Sequence, residues 1–300
     1  MKRHTAILLT LVCAAFLVSC ATGSPTKPTE ASYQKAEGKL VTTDGYIFSY
    51  RFYPVQKKGA SVIYIPGLNG QPYTGNTEGA YALTGSLNKA NLNFIGFNRA
   101  DNASIGRSQM AMVNILQKRG KSGLIMWPSM DGKESSAENI VRNEISAMIE
   151  FIENAPTHDP EQGIFLIGGS YGSWVSLVSV SSFSEKIKGV VFLSPGILPE
   201  WVSSQAQAEH PDVNISQYFQ SLIKCFGQHP ALAIGSKSDI IAPNFSRGSA
   251  LDGAQFLRET IGSNVEVMEV SSSLHSFRLI EGSEEVRTQI SQWVNDQAKK

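Results

Sequence analysis

A predicted strand that turns sharply at a serine flanked by glycines most constrains the fold of this 300-residue chain. The apolar run at residues 164–167 predicts a buried strand, and residues 168–172 follow it directly as Gly-Gly-Ser-Tyr-Gly. The outer glycines leave room for a tight turn in which Ser170 takes strained backbone angles. Residues 173–180 predict a helix, whose amino-terminal dipole favours negative charge beside Ser170. The five residues alone fit a structural turn equally well, but the strand and helix around them favour a nucleophile.

Asp239 and His275, further along the chain, have the side chains that a serine nucleophile needs. A serine hydroxyl is a poor nucleophile at neutral pH, so it requires a histidine base and a carboxylate that orients the histidine. Asp239 comes just after a predicted strand at 231–234, and His275 comes just after another at 265–270. Taken singly, Asp239 also fits a helix cap and His275 an ordinary loop histidine. Their order and their common position beyond strand ends predict a triad of Ser170, Asp239 and His275.

On these residues the chain resembles the α/β-hydrolase family from about Gly38 to the C-terminus. The resemblance implies an α/β fold with a mostly parallel central sheet and helices on both faces. It also implies that the backbone amides of Leu68 and Tyr171 stabilise the oxyanion, in a reaction that requires no metal or organic cofactor. Pro66 stands where many members have histidine, and residues 98–101 also depart from the family pattern. The backbone donor survives the change at Pro66. In the family the second segment usually belongs to the scaffold and the pocket rim, so its departure concerns the substrate class more than the reaction type.

The first twenty residues resemble a bacterial lipoprotein signal. A basic start precedes an apolar stretch at residues 6–18, and residues 17–20 read Leu-Val-Ser-Cys. The resemblance implies that residues 1–19 are removed and that Cys20 carries a lipid anchor with diacylglycerol and palmitate. Ala21, rather than an aspartate, implies transfer to the outer membrane, facing the periplasm. A conventional signal cut nearby and an uncleaved anchor helix are the alternatives, although the apolar stretch is short for a membrane span.

The mature chain divides into a tether and a folded domain. Residues 20–37 are small, polar and proline-rich, which predicts a flexible tether. Residues 38–300 are long enough for one α/β domain and contain no apolar run of membrane-spanning length. The 26 basic and 26 acidic side chains become 24 and 26 once Lys2 and Arg3 leave with the signal, which argues against nucleic acid as a partner. Cys225 is then the only thiol outside the leader, so an internal disulfide is excluded.

Short apolar runs separated by longer amphipathic stretches predict the order of the elements. Asp44 and Gly45 predict the turn of an antiparallel N-terminal hairpin with strands at 39–42 and 46–53. Parallel strands and helices are predicted from the apolar periodicity. The predicted strands are 62–65, 93–97, 164–167, 189–193, 231–234 and 265–270, and the clearest predicted helices are 137–153 and 284–297.

Two segments fit this alternation less easily. The first is a long connection at 103–136. The second, at 198–226, occupies the place where the family often carries a small cap over the active site. Its aromatic residues Trp201, Tyr218 and Phe219 either line an acyl or aromatic site or hold the insert on the core, and both interpretations remain open.

The triad and the leader together predict a membrane-tethered serine hydrolase that cleaves a small-molecule or lipid carboxylic ester through an acyl-enzyme. Thioester, amide or peptide hydrolysis and acyl transfer use the same machinery and remain open. A different alternative is an envelope binding protein that keeps the hydrolase scaffold without turnover. Pro66 and the altered segment at 98–101 motivate that alternative.

Overall fold

An eight-stranded sheet runs through the centre of the protein in a computed structural model, which describes residues 35–67, 78–98, 126–128, 134–196, 215–239 and 248–300. The strands of this sheet lie in the spatial order β1-β2-β4-β3-β7-β8-β9-β10, and β5 pairs with β6 in a separate two-stranded sheet. The strands are β1 (Ala36–Val41), β2 (Ile47–Tyr53), β3 (Ser61–Ile65), β4 (Asn93–Asn98), β5 (Met126–Pro128), β6 (Glu134–Ser136), β7 (Ile164–Gly169), β8 (Ile187–Leu193), β9 (Ala231–Gly235) and β10 (Val265–Glu269).

The first two strands form the predicted antiparallel hairpin. Gly45 takes a φ of 85° in its turn, a conformation that glycine adopts without strain. Strand β1 begins at Ala36, two residues before the predicted start of the domain, because its backbone pairs with β2 from Ala36 opposite Phe52 onward. Ala36 and Glu37 are exposed, so no apolar side chain marked this beginning in the sequence.

The remaining six strands of the large sheet are parallel, as their sequences predict. All residues of β3, β7 and β9 are buried, since helices cover both faces of the sheet. Side chains alternate between two hydrophobic clusters: Ile63 and Ile65 belong to one, and Val62 and Tyr64 belong to the other. Because the strands are parallel, their carboxyl ends share one edge of the sheet.

Helices pack against both faces of the sheet. The helices are α1 (Glu78–Lys89), α2 (Ala137–Glu153), α3 (Gly172–Phe183), α4 (Ile215–Phe226), α5 (Ala250–Ile261), α6 (Phe277–Gly282) and α7 (Glu284–Ala298). One cluster contains buried residues of α2, α3, α4 and α5, and the other contains those of α1, α6 and α7. The bounds of α2 agree with the prediction, and α7 ends one residue later than predicted.

The two unusual segments are described in part. Strands β5 and β6 lie within the connection at 103–136, and neither was predicted, because three-residue strands carry too little periodicity. Helix α4 forms the last part of the insert at 198–226, and its Leu222, Ile223 and Phe226 are buried in the core. This part of the insert is therefore a layer of the fold. Trp201 and the side chains of Tyr218 and Phe219 lie outside the described part of the chain.

Within the described ranges, no helix combines the length and the apolar character that a bilayer span requires. Cys20 and most of the predicted tether precede the first described residue.

Candidate active site

Ser170 lies in a strained turn between β7 and α3. Its φ is 51°, a left-handed value that non-glycine residues rarely adopt. The backbone N–H of Ser170 donates to the carbonyl of Leu193 at 2.9 Å, which fixes the turn to the end of β8. Backbone strain of this kind persists only where the surrounding structure holds it, and it is common at functional sites.

The two outer glycines of the turn are required by close approach. A Cβ on Gly168 would overlap the hydroxyl of Ser176, and a Cβ on Gly172 would overlap the carbonyl oxygen of Ile65. Because both residues lack a Cβ, α3 lies directly against β3 and β7. The glycine spacing that singled out this turn in the sequence therefore has a steric cause.

Helix α3 points its amino terminus at the turn. Tyr171 has helical backbone angles and precedes the first residue of the helix. The buried hydroxyls of Ser176 and Ser179 donate to backbone carbonyls one turn earlier, at 2.8 and 2.7 Å. These two hydroxyls are therefore buried with their hydrogen bonds satisfied. The amide N–H groups of a first helical turn favour negative charge, which suits an oxyanion beside Ser170.

Asp239 and His275 form a hydrogen-bonded pair at the same edge. Asp239 follows β9 and is 1% exposed, and His275 lies in the loop after β10. The Nδ1 of His275 lies 2.7 Å from the Oδ2 of Asp239. A carboxylate accepts from an Nδ1–H, so the lone pair of the neutral ring is at Nε2. The hydrogen bond to Asp239 therefore fixes the orientation of the His275 ring.

The loop of His275 touches the strand that carries the serine. A Cβ on Gly169 would overlap the hydroxyl of Ser276, so the residue before Ser170 contacts the residue after His275. The backbone N–H of Ser276 donates to the Oγ of Ser194 at 2.9 Å, at the end of β8. The ends of β7, β8 and β9 and the loop after β10 therefore converge on one small region.

Gly67, the last described residue of the predicted oxyanion loop, lies close to Ser170. A Cβ on Gly67 would lie 2.9 Å from the Cβ of Ser170, so the start of this loop closely approaches the turn at Ser170. Leu68, the second predicted donor, lies outside the described residues. Tyr171, the first predicted donor, is buried next to Ser170.

Two residues of this region were missed by the sequence reasoning. Ser194 and Ser276 are buried and have φ values of 46° and 52°. Glycine and asparagine are the residues whose presence indicates positive φ, so a serine gives no such signal. The signal that the sequence offered was their position, just after β8 for Ser194 and just after His275 for Ser276.

The other described histidines have structural partners. His158 is buried with its Nδ1 3.0 Å from the Ser61 hydroxyl, and burial lowers the pKa of His158. The ring nitrogens of His229 lie next to the carbonyls of Phe226 and Ser184. Of the three histidines that the structure describes, only His275 hydrogen-bonds to a carboxylate. No group of three potential metal ligands among His, Cys, Asp and Glu occurs in the described ranges.

Comparison with known proteins relates the fold to solved structures. No protein-family model and no curated protein sequence matches the chain. The chain is similar to the esterase Pf2001 of Pyrococcus furiosus, with 16% identity and a TM-score of 0.57 over 91% of this chain and 99% of that one. It is also similar to an S-formylglutathione hydrolase of Agrobacterium tumefaciens, with 12% identity and a TM-score of 0.60 over 91% and 99% of the two chains.

A third similar structure is the dienelactone hydrolase of Anabaena variabilis, with 10% identity and a TM-score of 0.56 over 88% of this chain and 96% of that one. The low identities make these similarities evidence of architecture alone. The sheet order, the antiparallel hairpin at its start and the helices on both faces agree with that architecture. The predicted fold class is confirmed: this chain has the fold of the α/β hydrolases.

Proposed function

We propose that the protein is a serine hydrolase that cleaves a carboxylic ester through an acyl-enzyme. The observation that carries the proposal is the 2.7 Å bond between Asp239 and His275, located beside the strained turn of Ser170. An acid, a base and a nucleophile on three separate loops of one sheet edge match the arrangement that activates a serine hydroxyl. Esterases and hydrolases are among the proteins with similar structures, which supports the same reaction class.

In this reaction, Ser170 Oγ attacks the ester carbonyl while His275 Nε2 accepts its proton. Asp239 holds the imidazole with Nδ1 protonated and stabilises the imidazolium that forms. The negative charge moves to the carbonyl oxygen, where the amides of Tyr171 and Leu68 are the proposed donors. Collapse of the tetrahedral intermediate breaks the bond to the leaving alkoxide, which takes the proton from His275. A water molecule then releases the acid by the same two steps and restores Ser170.

Ser170→Ala tests the nucleophile directly. We expect labelling by a fluorophosphonate probe to disappear and hydrolysis of p-nitrophenyl esters to fall by on the order of 10³-fold or more, because no hydroxyl remains to form the acyl-enzyme. Ser179→Ala is the matched control, since this buried serine of α3 only donates to the carbonyl of Val175. Equal ester hydrolysis by the wild type and Ser170→Ala would show that the catalytic assignment is wrong.

The substrate class needs its own experiment. A panel of short and long esters, thioesters and peptides, assayed with the full-length protein, separates ester hydrolysis from the alternatives that use the same residues. We expect the esters to give the highest kcat/KM. Absence of labelling and of turnover with every member would favour a binding protein on this scaffold.

The proposed location is the bacterial envelope, through a lipid on Cys20, with the domain facing the periplasm from the outer membrane. The lipoprotein-like leader supports this proposal, and a tether that ends at β1 fits it. Metabolic labelling with an alkyne fatty acid is expected to mark the wild type and to be lost in Cys20→Ala. Label that persists in Cys20→Ala excludes this residue as the lipid acceptor.

A further inference from the structure

The segment that follows β8 holds the backbone of the nucleophile from both sides. The N–H of Ser170 donates to the carbonyl of Leu193 at 2.9 Å, and the N–H of Gly196 donates to the carbonyl of Ser170 at 3.2 Å. A Cβ on Gly196 would lie 3.0 Å from the carbonyl carbon of Ser170, so the two backbones are in close contact. The position of Ser170 therefore depends on the path of residues 193–196.

Ser194 lies between these two contacts and bonds to two further parts of the site. Its N–H donates to the carbonyl of Ile234 at 2.8 Å, near the end of the strand that leads to Asp239. Its Oγ accepts from the N–H of Ser276 at 2.9 Å. Ser194 has no measurable exposure, and its φ is 46°. Ser194 thus links β9, which leads to Asp239, to the loop of His275, and it lies in the segment that contacts Ser170.

Ser276 is the residue through which this bond acts on the base. It follows His275 directly and has a φ of 52° and a ψ of −120°, angles that few residues other than glycine adopt. Its hydroxyl fills the space beside Gly169. A strained residue keeps its conformation only where its neighbours hold it. Within the described residues, the amide N–H of Ser276 donates its hydrogen bond to the Oγ of Ser194.

We propose that Ser194 is a positioning residue of the hydrolase: its hydroxyl sets the place of the His275 ring relative to Ser170. The inference rests on the proposed function of the triad. A buried N–H that loses its acceptor stays unsatisfied or moves to another partner, and both outcomes disturb its loop. A displacement of about 1 Å between reacting groups lowers a rate by up to about 100-fold.

Ser194→Ala removes the acceptor and leaves the rest of the segment in place. We expect kcat for an ester to fall by about 10- to 100-fold with KM changed less than about twofold, because substrate binding does not involve this bond. The matched control is Ser291→Ala, whose buried hydroxyl donates to the carbonyl of Arg287 in α7, away from the site. This control is expected to keep the wild-type kcat.

Ser194→Gly is the second variant, since glycine adopts the positive φ of this position without strain. It also lacks the acceptor, so a fall in kcat equal to that of Ser194→Ala assigns the effect to the lost hydrogen bond. Wild-type kcat in either variant, measured well below its unfolding temperature, overturns the proposal.

Hydrogen exchange of the Ser276 amide gives a readout that does not depend on turnover. We expect this amide to be protected in the wild type and in Ser291→Ala, and to exchange faster in both Ser194 variants, while amides in the centre of β7 stay protected. Unchanged Ser276 protection in the Ser194 variants contradicts the positioning role. Absence of fluorophosphonate labelling in the wild type contradicts the hydrolase proposal instead, so the two failures are distinguishable.

Discussion

At the scale of single residues, sequence reasoning led to the three residues of the proposed triad but not to the residues that contact their loops. Ser170 was recognisable because glycines and apolar residues surround it, and Asp239 and His275 because each follows a strand. The contacts of Ser194 and Ser276 depend on positive φ angles, which a serine in a sequence does not predict. Residue types therefore identify the chemical groups, whereas the geometry that aligns them requires the folded backbone.

Replacement of the orienting carboxylate tests the Asp239–His275 pair. Asp239→Asn keeps the size of the side chain but removes the charge, and its NH2 group favours the other imidazole tautomer. We expect kcat for ester hydrolysis to fall by about 10³- to 10⁴-fold with little change in KM. Steady-state kinetics at pH 7 check this expectation.

Asp252→Asn is the control for that substitution. Asp252 accepts from the N–H and hydroxyl of Ser249 in the capping box of α5, so its loss affects a helix end rather than the pair. Its kcat should stay at the wild-type level. Wild-type kcat in Asp239→Asn as well would remove Asp239 from the mechanism.

Gly169 tests the contact between the serine strand and the histidine loop. Gly169→Ala places a Cβ against the Ser276 hydroxyl and 3.2 Å from the hydroxyl of Tyr64. We expect kcat to fall by at least about tenfold, because the histidine loop must move away. Adding Ser276→Gly removes the obstructing hydroxyl and suits the backbone angles there, so the double variant should recover part of the rate. A double variant no faster than Gly169→Ala would place the effect elsewhere.

At the scale of elements, apolar periodicity predicted the strands of the central sheet and the bounds of α2. Most of these elements are long or largely buried, so their patterns are strong. The start of β1 was misplaced because its first residues are exposed, and β5 and β6 were missed because they are short. Apolar periodicity does not identify polar side chains that stabilise connections between elements, and Asn93 is the clearest example.

Asn93 holds together the segments at the beginning of the parallel strands. This fully buried side chain accepts from the N–H of Val55 and the hydroxyl of Thr157, and it donates to the carbonyls of Gly59 and Thr157. Asn93→Ala leaves these buried groups without partners, and we expect the free energy of unfolding to fall by about 3 kcal/mol. Urea denaturation measures the change.

Asn154→Ala provides the comparison for that measurement. Asn154 is exposed and donates to the carbonyl of Glu150 one turn earlier. Water replaces such a partner readily, so the expected loss is below about 0.5 kcal/mol. Equal losses in the two variants would contradict the structural role of Asn93.

At the scale of the whole molecule, the buried His158 links stability to pH. Burial lowers the pKa of His158, the nearby Asp159 and Glu153 partly oppose this shift, and Lys58 adds to it. The native protein therefore binds a proton less readily than the unfolded chain, in which the histidine pKa is about 6.5. The contribution of His158 is fully present above that pH and is lost as the pH falls toward the lower native pKa.

We therefore expect His158→Gln to have a shallower loss of stability than the wild type between about pH 6.5 and pH 5. The difference in slope is at most about 1.4 kcal/mol per pH unit, which corresponds to one proton. Urea unfolding at several pH values gives both slopes, and groups other than His158 titrate equally in both proteins. Identical slopes would show that His158 does not contribute to acid sensitivity.

The N-terminal hairpin also determines at which edge of the sheet the described chain begins. Ala36 pairs with Phe52, and Phe52 pairs with Ile95 in the first half of β4, so the chain enters at the amino edge of the parallel strands. Ser170, Asp239 and His275 lie at the other edge, about 20 Å away along a six-residue strand. A label or fusion partner joined directly to the start of β1 would therefore lie on the opposite side of the sheet from the candidate site.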